Sequence, residues 1–132
     1  MRRVLIIAAV ALAVAGFAGS AVAFTPEDVS MVQLLATPEK FDGRPVHVVG
    51  YARFISGEGA VYLSDSDGMR QIDKNALALV VTDRQMQKRE SRLDRQYVFV
   101  EGIFHADNKG RQELYSGTID AVSRLELLQQ DL

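Results

Sequence analysis

One ten-residue pattern occurs twice in this chain of 132 residues and constrains its fold more than any other feature. The copies are Asp42–Tyr51 and Asp94–Ile103, which align without a gap as Asp, three residues, Val-x-Val-x-Gly and a bulky apolar residue. In each copy a turn leads into a strand whose residues alternate between two faces. A glycine inside a strand often marks a bulge or a sharp bend. Two such strands in a short β domain predict a small closed barrel.

The first 23 residues have the three parts of a secretory signal peptide. Arg2 and Arg3 form a positive start, an unbroken apolar run covers Val4–Ala15, and Ala21-Val22-Ala23 is a small-x-small cleavage site. A retained membrane anchor is the alternative, because the apolar stretch is nearly as long as the ~20 residues that span a bilayer. We expect cleavage after Ala23, a periplasmic or secreted bacterial protein without a membrane span, and one domain over residues 24–132.

The net charge of that domain limits which partners it is expected to bind. Removing residues 1–23 removes Arg2 and Arg3 and no acid, which leaves 13 Lys and Arg against 17 Asp and Glu and a formal net charge of −4. Binding to a nucleic-acid backbone depends on many Lys and Arg contacts. The charge therefore disfavours nucleic acid as a partner, and the absence of Cys means that the fold relies on its core alone.

The patterns along the chain predict one short helix, three strands, a second helix and two strands. Ser30 is the expected N-cap of the first helix, which ends at Thr37-Pro38. Strands are expected over 45–55, 60–64, 76–81, 96–104 and from about 114 to 127. One exposed helix is expected over 83–93, with Met86 and Leu93 facing inward. Asp65–Gly68 is interpreted as a polar turn, and Asp107–Gly110 as a tight hairpin loop.

This order of elements is that of a five-stranded Greek-key barrel with an N-terminal helix and a helix between the third and fourth strands. The pattern Leu-Leu-x-x-Pro-x-x-Phe-Asp-Gly-x-x-Val-x-Val-x-Gly over Leu34–Gly50 resembles small secreted bacterial proteins of the oligonucleotide/oligosaccharide-binding (OB) fold. So does Tyr97-Val98-x-Val100-x-Gly102, with Tyr115-Ser116-Gly117 after it. The resemblance covers nearly all of residues 24–132. It implies a ligand-binding face and names no shared ligand.

No motif in the chain predicts catalysis, a metal or a cofactor. The acids of Ser64–Gly68 stand out of phase with a calcium loop, and position 74 is Lys. The two His are far apart in sequence and no Cys joins them, so a structural zinc site is not expected. No Gly-x-Ser-x-Gly elbow is present. Ser116 and His105 are interpreted as a strand hydroxyl and a rim residue, with a hydrolase site around them as an alternative.

The expected binding surface is the face of the first three strands together with the flanking loops, where OB folds hold their ligands. Aromatic and Arg side chains there are suited to stacking on sugars or bases and to protein interfaces. The candidates are Tyr51, Arg53, Tyr62, Arg70, His105 and Tyr115. Arg53 and Arg70 are expected on the surface, whereas Tyr62 is equally compatible with the core and Tyr51 with packing under the first helix.

Two questions stay open at this point, the role of one charged run and the function of the domain. The run Lys88–Arg95 is either a patch for an anionic partner or a solvated helix face with local ion pairs. The functional hypotheses are a non-enzymatic module that binds a protein, peptide or glycan, then a nucleic-acid-binding domain, then a hydrolase with an unrecognised site.

Overall fold

Short helices alternate with strands along the chain. The computed structural model describes residues 25–129, so the predicted signal peptide over residues 1–23 lies outside the described residues. The strands are β1 (Glu27–Asp28), β2 (Pro45–Ile55), β3 (Glu58–Tyr62), β4 (Ala76–Leu79), β5 (Tyr97–His105) and β6 (Thr118–Leu127). The helices are α1 (Met31–Ala36), α2 (Asp65–Arg70), α3 (Arg84–Gln87) and α4 (Glu90–Leu93), with 3-10 turns at Pro38–Lys40, Asp73–Asn75 and Arg111–Glu113. The protein is therefore mainly β.

The six strands form one mixed sheet. Its order is β1-β2-β3-β4-β6-β5, and β5 also pairs with β2. The β1–β2 and β4–β6 pairs are parallel, and the other pairs are antiparallel. Each strand from β2 to β6 consequently has a hydrogen-bonded neighbour on both sides.

The two copies of the repeated pattern are antiparallel neighbours. Val46 lies opposite Gly102 and Gly50 lies opposite Val98 in the β2–β5 ladder. Residues 45–51 of β2 pair with β5, whereas residues 51–55 pair with β3, so β2 changes partner at Tyr51, directly after its glycine. On β5 the ladder with β6 is irregular between Glu101 and Ile103, on either side of the second glycine. A bulge or irregularity of the expected kind thus lies at Gly102, whereas the β2–β5 register continues through Gly50.

The main core lies on the inner face of the sheet. Val46, Val48 and Ala52 of β2 are fully buried there, as the alternation predicts. A second, smaller buried cluster lies on the outer face. It contains Tyr51, Ala60, Tyr62 and Ala76, with Tyr97 and Tyr115 packed against it. All four tyrosines of the chain thus belong to this outer cluster.

Helix α1 forms as the sequence predicts. The Ser30 hydroxyl accepts a hydrogen bond from the Gln33 N–H, and the Gln33 side chain accepts one from the Ser30 N–H. Such a reciprocal capping box satisfies two N–H groups that lack partners within the helix. Met31 and Leu34 of α1 are buried in the main core. Strand β1, in contrast, was not expected, because two exposed acidic residues carry no strand signal.

The expected turn at Asp65–Gly68 is wrong, since these residues form helix α2. The Ser64 hydroxyl accepts a hydrogen bond from the Asp67 N–H and caps the helix. Asp65 and Asp67 in its first turn also favour a helix start. Gly68 is needed inside the helix because a Cβ there would collide with the ring of Tyr51. Turn-forming residues thus also satisfy the requirements of a capped helix.

The single helix expected over 83–93 is divided into α3 and α4 at Lys88 and Arg89. The Asp83 carboxylate caps α3 by accepting from the Met86 N–H, and it is one of the two caps that the sequence offers there, Thr82 or Asp83. Leu93 is buried in the core and Met86 packs against it, as expected.

Three predicted strands differ from the structure by two residues or more at an end. The strand expected over 60–64 covers Glu58–Tyr62, because Ser56 and Gly57 alone, both with positive φ, reverse the chain. The strand expected over 76–81 ends at Leu79. The last strand begins at Thr118 rather than near Leu114, so the tight hairpin loop expected at 107–110 is wrong. Residues 106–117 form a longer loop with left-handed Gly110, Gln112 and Glu113.

Candidate functional site

A groove lies between the β2–β3 hairpin and the 106–117 loop. It consists of a larger cavity of about 540 Å³ and a smaller one of about 320 Å³. Glu58 of the hairpin and Arg111 and Tyr115 of the loop line both cavities. The Arg111 Nε atom lies 3.4 Å from Glu58 Oε1, and both side chains are largely exposed. We call this concave surface the hairpin–loop groove, and it is of the size that small ligands occupy.

The loop wall of the groove is fixed by hydrogen bonds to the chain before β4. The Lys74 ammonium donates to the Glu113 carbonyl at 2.8 Å, and the Ser116 hydroxyl donates to the Lys74 carbonyl at 2.5 Å. Within the loop, the Thr118 hydroxyl donates to the Asn108 carbonyl at 2.6 Å. The left-handed conformations of Gln112 and Glu113 are therefore held by surrounding contacts. Strained backbone of this kind clusters at ligand sites.

Two tyrosines and a carboxylate form the polar part of the smaller cavity. The Tyr62 hydroxyl donates to Asp73 Oδ1 at 2.6 Å. Burial, and then this hydrogen bond, raise the pKa of Tyr62 above its usual range. Burial is also the main cause of the raised pKa of Tyr115. Both phenols therefore keep their protons at neutral pH. Tyr62 is buried, at 2% exposure, whereas Tyr115 is half-buried and is the more accessible of the two rings.

The expectation that Arg53 lies on the surface is wrong. Its side chain is 9% exposed, and only its edge lines the smaller cavity. The Nη1 atom donates to the Gly68 carbonyl at 2.8 Å, and Nε donates to Asp94 Oδ1 at 3.3 Å. The same oxygen of Asp94 accepts from the Phe54 N–H. Arg53 therefore ties β2 to α2 and to the turn before β5.

The structure brings together three of the six predicted site residues. Arg53, Tyr62 and Tyr115 line the smaller cavity. Tyr51 does not, because its buried ring packs against Gly68 and its hydroxyl lies 3.6 Å from the Met69 sulfur. Tyr51 therefore packs under α2, and the expected alternative of packing under α1 is wrong.

Arg70 and His105 also lie away from the groove. Arg70 is exposed, as expected, in the last turn of α2 and lines neither cavity. His105 Nε2 lies 2.7 Å from Asp120 Oδ1, across the β5–β6 pair. The Ser116 hydroxyl is directed to the Lys74 carbonyl, so within residues 25–129 it does not form a hydrogen bond with His105.

Several groove residues were not among the sequence candidates. Glu58 and Arg111 lie in polar turn-like stretches, and Asp73 and Glu90 resemble ordinary surface acids. Gly110 was the one available signal, because it has the positive φ that favours glycine and that occurs in the longer loop. Nothing in the sequence indicates that Arg111 reaches back to the β2–β3 hairpin.

A second polar cluster lies on the outer face of β2, β5 and β6. His47 Nδ1 and Arg124 Nη1 lie 2.9 and 3.4 Å from Glu101 Oε1. The rings of His47 and Phe99 are 5.1 Å apart, and the Arg124 guanidinium lies over the Phe99 ring. The polar groups of these side chains interact with one another, and the side chains line none of the cavities described here.

Comparison with known proteins gives similarity of fold at low sequence identity. No family model matches the chain, and no curated protein matches it. A solved DUF3299 family protein from Pseudomonas aeruginosa PAO1 is 14% identical, with a TM-score of 0.52 over 81% of this chain and 99% of that one. A protein assigned as an aspartyl-tRNA synthetase from Leishmania major Friedlin is 10% identical, with a TM-score of 0.49. The match covers 82% of this chain and 22% of the synthetase. The first likeness supports a small bacterial β protein and extends to the fold alone.

Two features are absent from residues 25–129, a membrane-spanning helix and a cluster of metal ligands. No helix in this span has the length and apolar character needed to cross a bilayer. Within the same span, no three His, Asp or Glu side chains are grouped so that they could hold a metal ion.

Proposed function

We propose that this protein is a non-enzymatic binding module with an OB-type five-stranded Greek-key barrel. The strand pairings support the fold, because they run from β2 through β3, β4, β6 and β5 and return to β2. The short parallel β4–β6 pair and the helices between β4 and β5 agree with it. The N-terminal sequence supports export to the bacterial periplasm or beyond, after removal of residues 1–23.

The position of the hairpin–loop groove carries the proposal. OB folds hold ligands on the outer face of their second and third strands and in the loops that follow the first and fourth strands. In this chain those strands correspond to β3 and β4, and those loops are the Ser56-Gly57 reversal and residues 106–117. Both cavities lie between these two loops, and Tyr62, Tyr115 and Arg111 are within them.

The chemistry of the groove fits an extended peptide, a protein segment or a glycan. Tyrosine rings and arginine offer stacking surfaces together with hydrogen-bond donors. Glu58 and Asp73 stand beside them and would repel a phosphate backbone. The negative charge of the domain acts in the same direction. Binding of nucleic acid is accordingly an outcome of the test and is not part of the proposal, and hydrolysis is not proposed.

Arg111→Ala and Arg44→Ala form a matched pair for that test. Their side chains are 64% and 61% exposed, and each makes one ion pair with a glutamate. Neither substitution should lower stability by more than about 1 kcal/mol, because exposed ion pairs contribute little. Arg111 lies in the groove, whereas Arg44 lies beside β1. We expect Arg111→Ala to reduce the capture of a periplasmic partner, and Arg44→Ala to leave it unchanged.

Capture would be compared by quantitative mass spectrometry, with the full chain as bait. Two of the four tyrosines line the groove and the chain has no Trp, so tyrosine fluorescence provides a direct second readout. A peptide pool, a chitin oligomer and single-stranded DNA at low salt would be titrated separately. Equal capture by both variants, with no fluorescence change for any peptide or glycan, would overturn the proposal. Salt-sensitive binding of DNA alone would favour a nucleic-acid module.

A further inference from the structure

One carboxylate in the larger cavity has no partner. Glu90, the first residue of α4, is half-buried and lines this cavity. Among residues 25–129, no cationic side chain lies within ion-pair distance of it and no hydrogen bond is donated to it. Burial raises its pKa, and no neighbouring charge opposes that effect. A partly desolvated carboxylate of this kind gains stability from an added cation.

The charges that line the larger cavity do not cancel. The lining contains three charged residues, which are Glu58, Glu90 and Arg111. Glu58 and Arg111 form an ion pair with each other at 3.4 Å. Glu90 is left as one uncompensated negative charge. The cavity therefore favours a ligand that brings one positive charge.

The wall that carries Glu90 is held firmly. Leu93 at the other end of α4 is buried in the core, and the Asp94 N–H donates to the Glu90 carbonyl at 2.8 Å. The Gln87 side chain donates to the Val81 carbonyl at 2.8 Å and ties α3 to the chain after β4. The backbone that carries Glu90 is consequently held in place, which lowers the cost of ordering the site on binding.

The rest of the lining is suited to an aliphatic stem. Ala78, Leu79, Val80 and Val81 all line the cavity, and of these Ala78 and Leu79 are buried whereas Val80 is 45% exposed and offers the accessible apolar surface. Lysine and arginine side chains characteristically lay their methylene groups along such surfaces. Three of the polar side chains nearby are already engaged, since Gln87 donates to the Val81 carbonyl, Asn108 accepts from the Gly110 N–H and Thr118 donates to the Asn108 carbonyl.

We propose that the larger cavity is a subsite for a lysine or arginine side chain of a bound peptide segment, with Glu90 as the counter-charge. The inference rests on the proposed function, because the peptide would lie along the same hairpin–loop groove. It adds a preference for a basic side chain, which the fold alone does not imply.

The probes are acetyl-Gly-Lys-Gly-amide, its norleucine analogue and a glucosamine tetramer. Norleucine keeps the aliphatic stem of lysine and lacks the charge. Each would be titrated into the isotope-labelled full chain and followed by amide chemical shifts. We expect the lysine peptide to shift the amides of Val80, Val81 and Glu90. The norleucine peptide should bind about fivefold or more weakly, the loss typical of one partly buried ion pair.

Glu90→Gln tests the role of the carboxylate, since it keeps shape and removes charge. It should weaken lysine-peptide binding about fivefold or more and leave norleucine-peptide binding unchanged. Glu39→Gln, an exposed position in the 38–40 turn, is the matched control and should change neither. The amide spectrum of each variant reports whether the fold is intact.

Three results would overturn the inference while leaving the proposed function in place. One is equal binding of the lysine and norleucine peptides in the groove, and a second is stronger binding of the glucosamine tetramer there. Unchanged affinity for the lysine peptide in Glu90→Gln would likewise remove Glu90 from the site. If the peptides and the tetramer shifted no groove amide, and neither extract capture nor tyrosine fluorescence detected a partner, the proposed function would fail as well.

Discussion

Val48 and Val100 are the equivalent residues of the two Val-x-Val-x-Gly copies, and they lie opposite each other in the β2–β5 ladder. The repeat in sequence is thus a local two-fold relation in space, in which each glycine faces the first Val of the other copy. Both glycines are also crowded from outside the pair. A Cβ on Gly50 would lie 2.5 Å from Val61 Cγ2 and 2.9 Å from the Tyr62 carbonyl oxygen, and one on Gly102 would lie 2.6 Å from the Asp120 carbonyl oxygen.

The first prediction concerns these two positions. Gly50→Val and Gly102→Val should each lower the free energy of unfolding by about 3 kcal/mol or more, because overpacking against backbone cannot be relieved by a rotamer change. Ser123→Val, at an exposed position of β6, is the control and should change stability by less than about 0.5 kcal/mol. Urea unfolding would measure all three. A glycine variant as stable as wild type would show that the strands are not held this closely.

The inner face of the fold was predictable because one physical rule decides it. In β2, alternation of apolar residues buries Val46, Val48 and Ala52, and the structure agrees with that expectation. On the other face, Tyr51 and Arg53 were correctly grouped, but Arg53 was wrongly expected on the surface, and Tyr51 packs under α2 and not under α1. The element that covers them is α2, whose Ser, Asp and Gly residues also favour a turn. Because the same residues favour both a turn and a capped helix, the local sequence cannot predict which side chains the segment covers.

The candidate site was predictable only in part, for a related reason. Tyr62 and Tyr115 follow from the positions of strands and aromatic residues. Arg111 depends on the path of the 106–117 loop, which is set by left-handed Gln112 and Glu113. Neither residue type favours that conformation, so it is stabilised by tertiary contacts such as the Lys74–Glu113 hydrogen bond. Those contacts link residues far apart in sequence and leave no local pattern.

The second prediction is that the main role of Arg53 is to stabilise the fold and not to bind a ligand. Arg53→Ala would remove the charged donor from the Gly68 carbonyl and from Asp94 Oδ1, which keeps only the Phe54 N–H, and the free energy of unfolding should fall by about 2–4 kcal/mol. Arg53→Lys should recover little, because a single ammonium cannot replace two donors with different directions. Arg95→Gln is the control, since Arg95 lies 4.0 Å from the same Asp94 and is 61% exposed. Equal losses for Arg53→Ala and Arg95→Gln in urea would contradict this account.

The third prediction concerns acid stability. The hydrogen bond from His47, with a further contribution from Arg124, lowers the pKa of Glu101 below its usual value of 4.5. A group whose pKa is lower in the folded state stabilises the protein above its unfolded-state pKa. That contribution is lost as the pH falls through the folded-state pKa. Glu101→Gln should therefore lose less stability than wild type between about pH 5 and pH 2.

Glu39→Gln serves as the control for this pH series, since Glu39 is exposed and lies outside the His47–Glu101–Arg124 cluster. Its stability should follow wild type at each pH value in chemical unfolding. Parallel curves for Glu101→Gln and wild type would mean that the cluster does not persist in solution.

The last prediction concerns the alkaline side and the smaller cavity. Burial and the Asp73 hydrogen bond raise the pKa of Tyr62 above its usual value of 10.0. The raised pKa means that this contribution to stability is complete below about pH 10 and is lost as the pH rises through the folded-state pKa. The difference in ultraviolet titration between wild type and Tyr62→Phe isolates this phenol. Asp73→Asn should lower its ionisation pH, because it removes the negative charge that opposes a phenolate. An unchanged ionisation pH in Asp73→Asn would separate Tyr62 from Asp73 and would remove the basis for treating this pair as a fixed hydrogen-bonding unit within the groove.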